Sequence, residues 1–354
     1  MRKRILKNME WGILICTVIL IIIGLVALFS ATQNSNYDEL KKQIVWIMVS
    51  IPILIAIIAI DYELLIKIAP ILYGIITLLL AGVLFTTPIN GATSWYNIGA
   101  VSFQPAELAK IVIILSLTYT IVKIQARGKK EINVIYKLAI ILGVAMVPVL
   151  LIIKQPDYGT AIAFIMALIF MLFVAGIDKK YIIIAIAVVI VAVPLLYFFI
   201  LPEHAKTRID VYLNPNLDPR GAGYNIIQSK LAIGAGQLFG MGLLKGNQTQ
   251  LGFLYPKTTD FIFSVIGEEL GFIFAAGIIV LYVVLITKAI YVAKTAKDLE
   301  GSYIAAGIAG IFFFHMLENI GMTMGLLPIT GIPLPFVSYG GSSLLSLSLI
   351  HISE

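Results

Sequence analysis

Apolar residues come in long, nearly uninterrupted runs joined by short polar segments, with neither the helical stripe nor the strict alternation of a soluble fold. A helix rising about 1.5 Å per residue needs about 20 residues to cross a hydrocarbon layer about 30 Å thick. Nine runs meet that demand, near 11–30, 44–60, 64–86, 105–124, 135–153, 160–177, 181–201, 261–286 and 302–327, and a tenth begins at Ser342. The pattern predicts an all-α integral membrane bundle of about ten spans in a single domain, 1–354, with the tenth span cut short or altered at SLSLIHISE.

Three joints are too long to be plain connectors: 87–104, 202–259 and 326–343. Counting spans from the N-terminus places all three on one side. The long joint 202–259 mixes apolar residues with glycine in IIQSKLAIGAGQLFGMGLL, which predicts a re-entrant or interfacial helix.

Composition sharpens this picture. With 60% hydrophobic and 12% charged residues, the chain has too little polar surface for a water-soluble domain. Of its 25 Lys and Arg, 15 fall on the side shared with the N-terminus, so the positive-inside rule puts that end in the cytoplasm and the long joints outside. The net charge of +6 then reflects topology and implies no nucleic-acid partner. The first run follows Arg2, Lys3, Arg4 and Lys7 without a cleavage site and is expected to remain as an anchor. A lone Cys16 excludes an internal disulfide. GAGQLFGMG lacks the register and preceding strand of a dinucleotide loop, and His204, His315 and His351 are too scattered for a zinc site.

Ionisable groups within spans are costly and therefore mark candidate sites. Glu107 and Lys110 share a helical face in QPAELAK; Glu268 and Glu269 follow Asp260 in TTDFIFSVIGEELGF; His315, Glu318 and Asn319 lie within one turn. For Asp260 two readings stand: an N-cap, since Asp ahead of a helix satisfies its first N–H groups, or a functional carboxylate. Glu268 and Glu269, roughly 12–13 Å along the helix at about 1.5 Å per residue, are expected to line a cavity floor or pair with the ninth span.

Six ordered motifs carry a family resemblance: GATSWYNIG, FQPAELAK, QPDYGTA, LNPNLDPRGAGYNIIQSKLAIGAGQLFGMGLLKGNQTQLGF, TTDFIFSVIGEELGF and NIGMTMGLLPITGIPLPFVSYGGSS. Together they resemble the shape, elongation, division and sporulation (SEDS) family of bacterial membrane proteins, and the NIGMTMG form is closer to its elongation members than to its division members. The resemblance implies a multi-pass protein of the bacterial cytoplasmic membrane that polymerises lipid II into peptidoglycan glycan strands on the outer face. It implies Asp260 as the essential acid, with Trp95, Glu107, Lys110 and Asp157 as site residues. YPKTTD departs from the family's usual Pro-Glu-x-His-Thr-Asp, so Asp260 lacks the expected acidic and imidazole neighbours.

That chemistry makes definite demands. Forming a β-1,4 bond from an α-linked diphosphate donor by one displacement needs a base for the acceptor hydroxyl, which Asp260 could be, and positive charge for the departing diphosphate. Arg208, Arg220, Lys230, Lys257 and Lys110 are the outer-face cations, Gln228 a further substrate contact, and a divalent ion such as Mg or Mn an alternative charge source. Glu268, Glu269, Glu318 and Asn319 are expected to be structural or cavity residues. Expected partners are a class B penicillin-binding protein, docked on the small residues Gly301, Ala305, Ala306, Gly307 and Gly310, and other elongation-complex membrane proteins. A lipid II transporter would use the same buried charges but predicts polar groups through both leaflets, and a scaffold would tolerate loss of Asp260.

Overall fold

The computed structural model describes residues 10–58, 60–87, 93–98, 101–201, 203–219 and 221–341. The start of the expected tenth span at Ser342, the four basic N-terminal residues and Arg220 lie outside the described residues. Among the described residues, nine long helices occupy the nine apolar runs: α1 (Trp11–Ala31), α2 (Asp38–Ile58), α3 (Tyr62–Gly82), α4 (Pro105–Gln125), α5 (Ile135–Lys154), α6 (Tyr158–Ala175), α7 (Lys179–Leu195), α11 (Ile262–Thr295) and α12 (Leu299–Thr323). Seven of the described helices are long and apolar enough to cross a membrane. The chain is a multi-pass membrane protein.

Boundaries move where polar residues help a helix. α2 starts at Asp38, ahead of the apolar run, because Asp38 and Glu39 suit the positive end of its dipole. α6 starts at Tyr158 because the Asp157 carboxylate accepts the Thr160 N–H at 3.1 Å. The first outer joint forms a small antiparallel hairpin, β1 (Tyr96–Ile98) and β2 (Val101–Phe103), which the apolar pattern gave no reason to expect. The long joint contains α8 (Glu203–Leu213), α9 (Ala222–Ala235) and the single turn α10 (Asn247–Gln250), so the glycine-rich stretch does form helix.

Helix α12 is the axis of the bundle. Its small residues are not an outward docking stripe: Gly301, Ala305, Ala306, Gly307 and Gly310 are all buried. A Cβ on Gly307 would sit 3.0 Å from Ile114 of α4, and one on Gly310 would sit 2.7 Å from the Met166 carbonyl of α6. In lipid, helices associate by close backbone approach, and here the small residues serve that purpose inside the chain. At the other extreme, no residue of α7 is buried.

α11 is two helices joined at Gly271, whose φ of 81° and ψ of −176° belong to a region essentially limited to glycine. The break leaves backbone groups without helical partners, and the segment after α9 supplies them. The carbonyls of Glu268 and Glu269 accept from the N–H groups of Met241 and Gly242 at 2.9 and 3.0 Å, while Phe272 N–H donates to the Gln237 carbonyl at 2.8 Å. Glycines permit the approach, since a Cβ on Gly271 would lie 2.6 Å from the Phe239 carbonyl carbon. We therefore expect Gly271→Ala to cost about 1–3 kcal/mol, read as a lowered thermal unfolding midpoint in detergent, whereas Gly277→Ala, with nothing within 4 Å of its added methyl, should leave the midpoint unchanged or slightly raised.

Candidate active site

The short stretch before α11 is a series of turns, and backbone outside a regular helix must find donors for its carbonyls. Three successive carbonyls do. Thr258 O accepts from Tyr339 N–H at 2.9 Å, Thr259 O from the Ser338 hydroxyl at 2.7 Å, and Asp260 O from the Asn319 side-chain amide at 2.9 Å. Ser338 also accepts the Leu334 N–H at 2.8 Å, and Asn319 also donates to Ile332 O at 2.8 Å. Buried Gln43 of α2 backs this arrangement by donating to Ser338 O and accepting from Gly340 N–H. Residues 258–260 are thus clamped from three sides.

Their grip leaves the Asp260 side chain uncommitted to the helix. The N-cap of α11 is Phe261, and no side chain caps it, so the capping reading of Asp260 does not hold. Its half-buried carboxyl is pushed up to about 6 because burial disfavours the anion; the Thr259 hydroxyl and the Arg208 guanidinium pull the other way without cancelling the effect. Arg208, half-buried on α8, also donates to Ile329 O at 3.4 Å. Lys230 of α9 lies over the turn at Gly325, where an added Cβ would meet its Nζ at 3.3 Å. Arg208 therefore borders the segment that faces Asp260, and Lys230 the turn that leads into it. Half-buried Gln228 is on α9 with Lys230.

A second group is built on α4, α6 and α12. Lys110 Nζ donates to Glu107 Oε1 at 2.9 Å and lies 3.3 Å from His315 Nε2, and His315 Nδ1 is 3.1 Å from Pro333 O. A lysine ammonium only donates and a carbonyl only accepts, so His315 is the neutral Nδ1–H tautomer. Lys110 and Glu107 are each 5% exposed, which makes this a buried pair and not a free cation. Beside it, Asp157 accepts from Gln104 at 3.1 Å; burial raises its carboxyl, partly offset by its bonds to Thr160 and by the Lys110 charge.

Loop 329–333 joins the two groups. Thr330 donates to Glu318 at 2.7 Å, and Gly331 faces the Asp260 carboxylate, where an added Cβ would be 3.5 Å from Oδ2. Ile332 O accepts from Asn319 and Pro333 O from His315. Gly159, two residues after Asp157, lies directly against Thr330 and Ile332. Trp95 is half-buried and carried between two anchors at the ends of α3 and α5, apart from that loop: Ser94 donates to Gln155 O at 3.4 Å and Tyr96 to Leu79 O at 2.9 Å. Asp260, Arg208, Glu318, Asn319, Lys110, Glu107 and Asp157 are thereby linked through one loop, with Lys230 at the turn that leads into it.

Glu268 and Glu269 belong elsewhere. They neither line the floor of this site nor pair with α12. Glu268 accepts from Gln248 N–H at 2.7 Å and from both Thr249 N–H and its hydroxyl, at 3.0 and 2.6 Å. Glu269 accepts from Leu244 and Gly246 N–H groups at 3.2 and 3.3 Å and from the Gln250 amide at 2.8 Å. Each carboxylate anchors the backbone of the turn before and within α10, a fixed negative charge at a helix start. Gln104, Thr330, Ser338 and Gln43 carry no charge and so escape a search for ionisable groups; only membership in the FQPAELAK, GLLPITG and VSYGGSS motifs marks the first three.

With this geometry in view, comparison with known proteins is decisive. The profile of the cell cycle protein family, which groups FtsW, RodA and SpoVE, matches residues 10–352. The chain belongs to this family. It is the SEDS family to which the motifs pointed. The peptidoglycan glycosyltransferase MrdB of Escherichia coli K12 is 40% identical over 280 residues, covering 79% of this chain and 74% of that protein. The peptidoglycan glycosyltransferase RodA of Treponema pallidum is 30% identical over 420 residues, covering 97% and 96%. Among solved structures, the rod shape determining protein RodA of Thermus thermophilus superposes with a TM-score of 0.72 at 26% identity over 98% of this chain and 96% of that one. A chain from a peptidoglycan synthase complex, described as coordinating polymerization and crosslinking, gives 0.83 at 26% identity over 98% and 97%.

The buried Lys110 pair makes its own prediction. Removing one partner of such a pair strands the other and costs about 3–5 kcal/mol, whereas replacing both is far milder. Lys110→Ala and Lys110→Arg should both lower the thermal midpoint and activity, because the enclosed site between Glu107 and His315 has no room for a guanidinium. The double change Glu107→Gln with Lys110→Met should recover stability relative to Lys110→Ala but not activity. A Lys110→Arg protein of full stability would refute the enclosed-pair account.

Proposed function

We propose that this family member is a peptidoglycan glycosyltransferase of the elongation type. It polymerises lipid II into β-1,4 glycan strands on the outer face of the bacterial cytoplasmic membrane, with its N-terminus in the cytoplasm. The single observation that carries the mechanism is the Asp260 carboxylate: held in place through its own backbone, left free of any capping duty, and tuned to about 6. The relatives named peptidoglycan glycosyltransferases support the activity, and the excess of Lys and Arg on the N-terminal side supports the orientation.

In this reading Asp260 accepts the proton of the acceptor sugar's 4-hydroxyl as its oxygen attacks the donor's anomeric carbon. The bond from that carbon to the diphosphate oxygen breaks, the configuration inverts, and the proton later leaves Asp260 for water. The departing polyprenyl diphosphate needs charge and no proton, and Arg208 and Lys230 stand where they can supply it, with Arg220 a further candidate. Trp95 and Gln228 serve as flanking sugar or peptide contacts. Lys110, Glu107 and Asp157 act by fixing His315, Gly159 and loop 329–333 against Asp260. Among the described residues no three His, Cys, Asp or Glu side chains converge, so a divalent cation would take most of its ligands from the substrate's own oxygens, beside Asp260 or Glu318.

The partner we propose is a class B penicillin-binding protein that crosslinks the strands, within a larger elongation complex. The synthase-complex relative supports such an assembly. Because the small-residue face of α12 is buried within the chain, the partner's helix must dock on another lipid-exposed face.

Two measurements on purified protein test the mechanism. Asp260→Asn should insert normally and lose at least about two orders of magnitude in polymerisation of lipid II, the scale of a general base; near-normal activity would end the assignment. A base raised to about 6 must be ionised to work, so wild-type kcat/KM should be flat above about pH 7 and fall roughly tenfold per pH unit below about pH 6. An acid limb centred near 4 would contradict the desolvated carboxylate.

A further inference from the structure

At the end of the bundle remote from Asp260, the turn between α4 and α5 and the turn between α6 and α7 are fastened together. Gln125 of α4 donates to Lys129 O at 3.1 Å and to Ala175 O, at the end of α6, at 2.8 Å. Asn133 donates to Gly176 O at 3.3 Å and accepts the Asp178 N–H at 2.7 Å, while its own carbonyl accepts from Tyr181 at 2.8 Å. Two neutral side chains thus lock two turns that sequence alone separates by about 50 residues.

The lock gathers charge. Lys123, Arg127, Lys129, Lys130, Lys179 and Lys180 are all exposed on the joined turns. The carboxylates among them are occupied: Glu131 pairs with Lys137, and Asp178 with Lys180 at 3.4 Å. Lys123, Arg127, Lys129, Lys130 and Lys179 carry no ion pair among the described residues. Elsewhere on the same side Lys67, Lys288, Lys294 and Lys297 are offset by the acidic starts of α3 and α12, with Asp61, Glu63, Asp298 and Glu300, and by Glu10, which pairs with Lys288, so the excess of unpaired cations is concentrated on the joined turns.

Its place relative to the membrane selects the ligand. Lys123 ends α4, Lys179 and Lys180 begin α7, and each end carries a tyrosine: Lys123 lies 5.4 Å from the Tyr119 ring centre and Lys180 4.9 Å from that of Tyr181. Tyrosine beside lysine at a span end is the signature of headgroup depth. α7 enters the membrane from this surface with no buried residue, so lipid surrounds it on leaving the patch. We propose that the joined α4–α5 and α6–α7 turns form a binding surface for anionic phospholipid headgroups. Only the assignment to the cytoplasmic leaflet rests on the orientation proposed above.

The test uses the full-length protein in mixed micelles of phosphatidylglycerol and phosphatidylcholine, counting retained lipids by native mass spectrometry. Wild type should retain phosphatidylglycerol at least about tenfold over phosphatidylcholine. Neutralising the patch with K123Q/R127Q/K129Q/K130Q should bring the ratio within about twofold of unity, whereas K294Q/K297Q, on the same side but off the patch, should leave it unchanged. Asn133→Ala removes no charge yet should cut the preference by about threefold or more; should that variant not fold, Tyr181→Phe, which deletes one bond of the lock, takes its place. Equal retention of both lipids by wild type overturns the proposal, as an acidic protein partner for these cations would also require. An Asn133 or Tyr181 variant with full preference, or a K294Q/K297Q loss matching the patch variant per charge removed, overturns the claim that the surface is built and leaves bulk charge alone. None of these readouts depends on glycan synthesis.

Discussion

A membrane interior offers no water to backbone N–H and C=O groups, and this one constraint shapes every unusual feature of the chain. Wherever the backbone leaves the helical path at depth, a specific partner must meet each freed group, and that partner must come from the protein. The break at Gly271 is lawful because residues 237–242 present two carbonyls and two N–H groups to it. The turn at 258–260, at the mouth of α11, is lawful for the same reason, because Tyr339, Ser338 and Asn319 take its three carbonyls. Satisfying these groups has a functional by-product, since a backbone so fully bonded is rigid.

That rigidity is what the proposed single-base mechanism needs. Positional errors of about 1 Å in a catalytic group are expensive, and a carboxylate on a free loop would wander further than that. Here the backbone of Asp260 is fixed while its side chain is spared structural work, a division of labour in which Asn319, Ser338 and Gln43 do the holding. The buried Lys110 pair extends the same arrangement outward: through His315 it ties α4 to Pro333, and so to the loop that faces Asp260. Burial raises the Asp260 carboxyl to about 6, which makes its anion a stronger base while leaving it ionised above about pH 7.

Buried carboxylates in a membrane protein invite a functional reading by default, and the three in KTTDFIFSVIGEELGF divide on inspection. Asp260 meets few donors and faces the linked polar system; Glu268 and Glu269 meet three donors each and are spent on a turn. The distinction lies in the number of hydrogen bonds a carboxylate has already accepted, which separates an anchor from a group available to substrate.

The sequence alone determined the positions of the nine long described helices, because hydrocarbon thickness sets run length and each helix satisfies its own backbone locally. It determined the family too, since six motifs in order survive without knowledge of contacts, and with the family came Asp260, Glu107, Lys110, Asp157 and Trp95 as candidates. Tertiary structure alone decided what those residues touch. That Asp260 does not cap α11, that Lys110 is enclosed between Glu107 and His315, that Glu268 and Glu269 hold α10, and that the glycines and alanines of α12 face inward all depend on which helices become neighbours. A span's hydrophobicity is nearly the same on every face, so its sequence carries no stripe from which that choice of neighbours could be read.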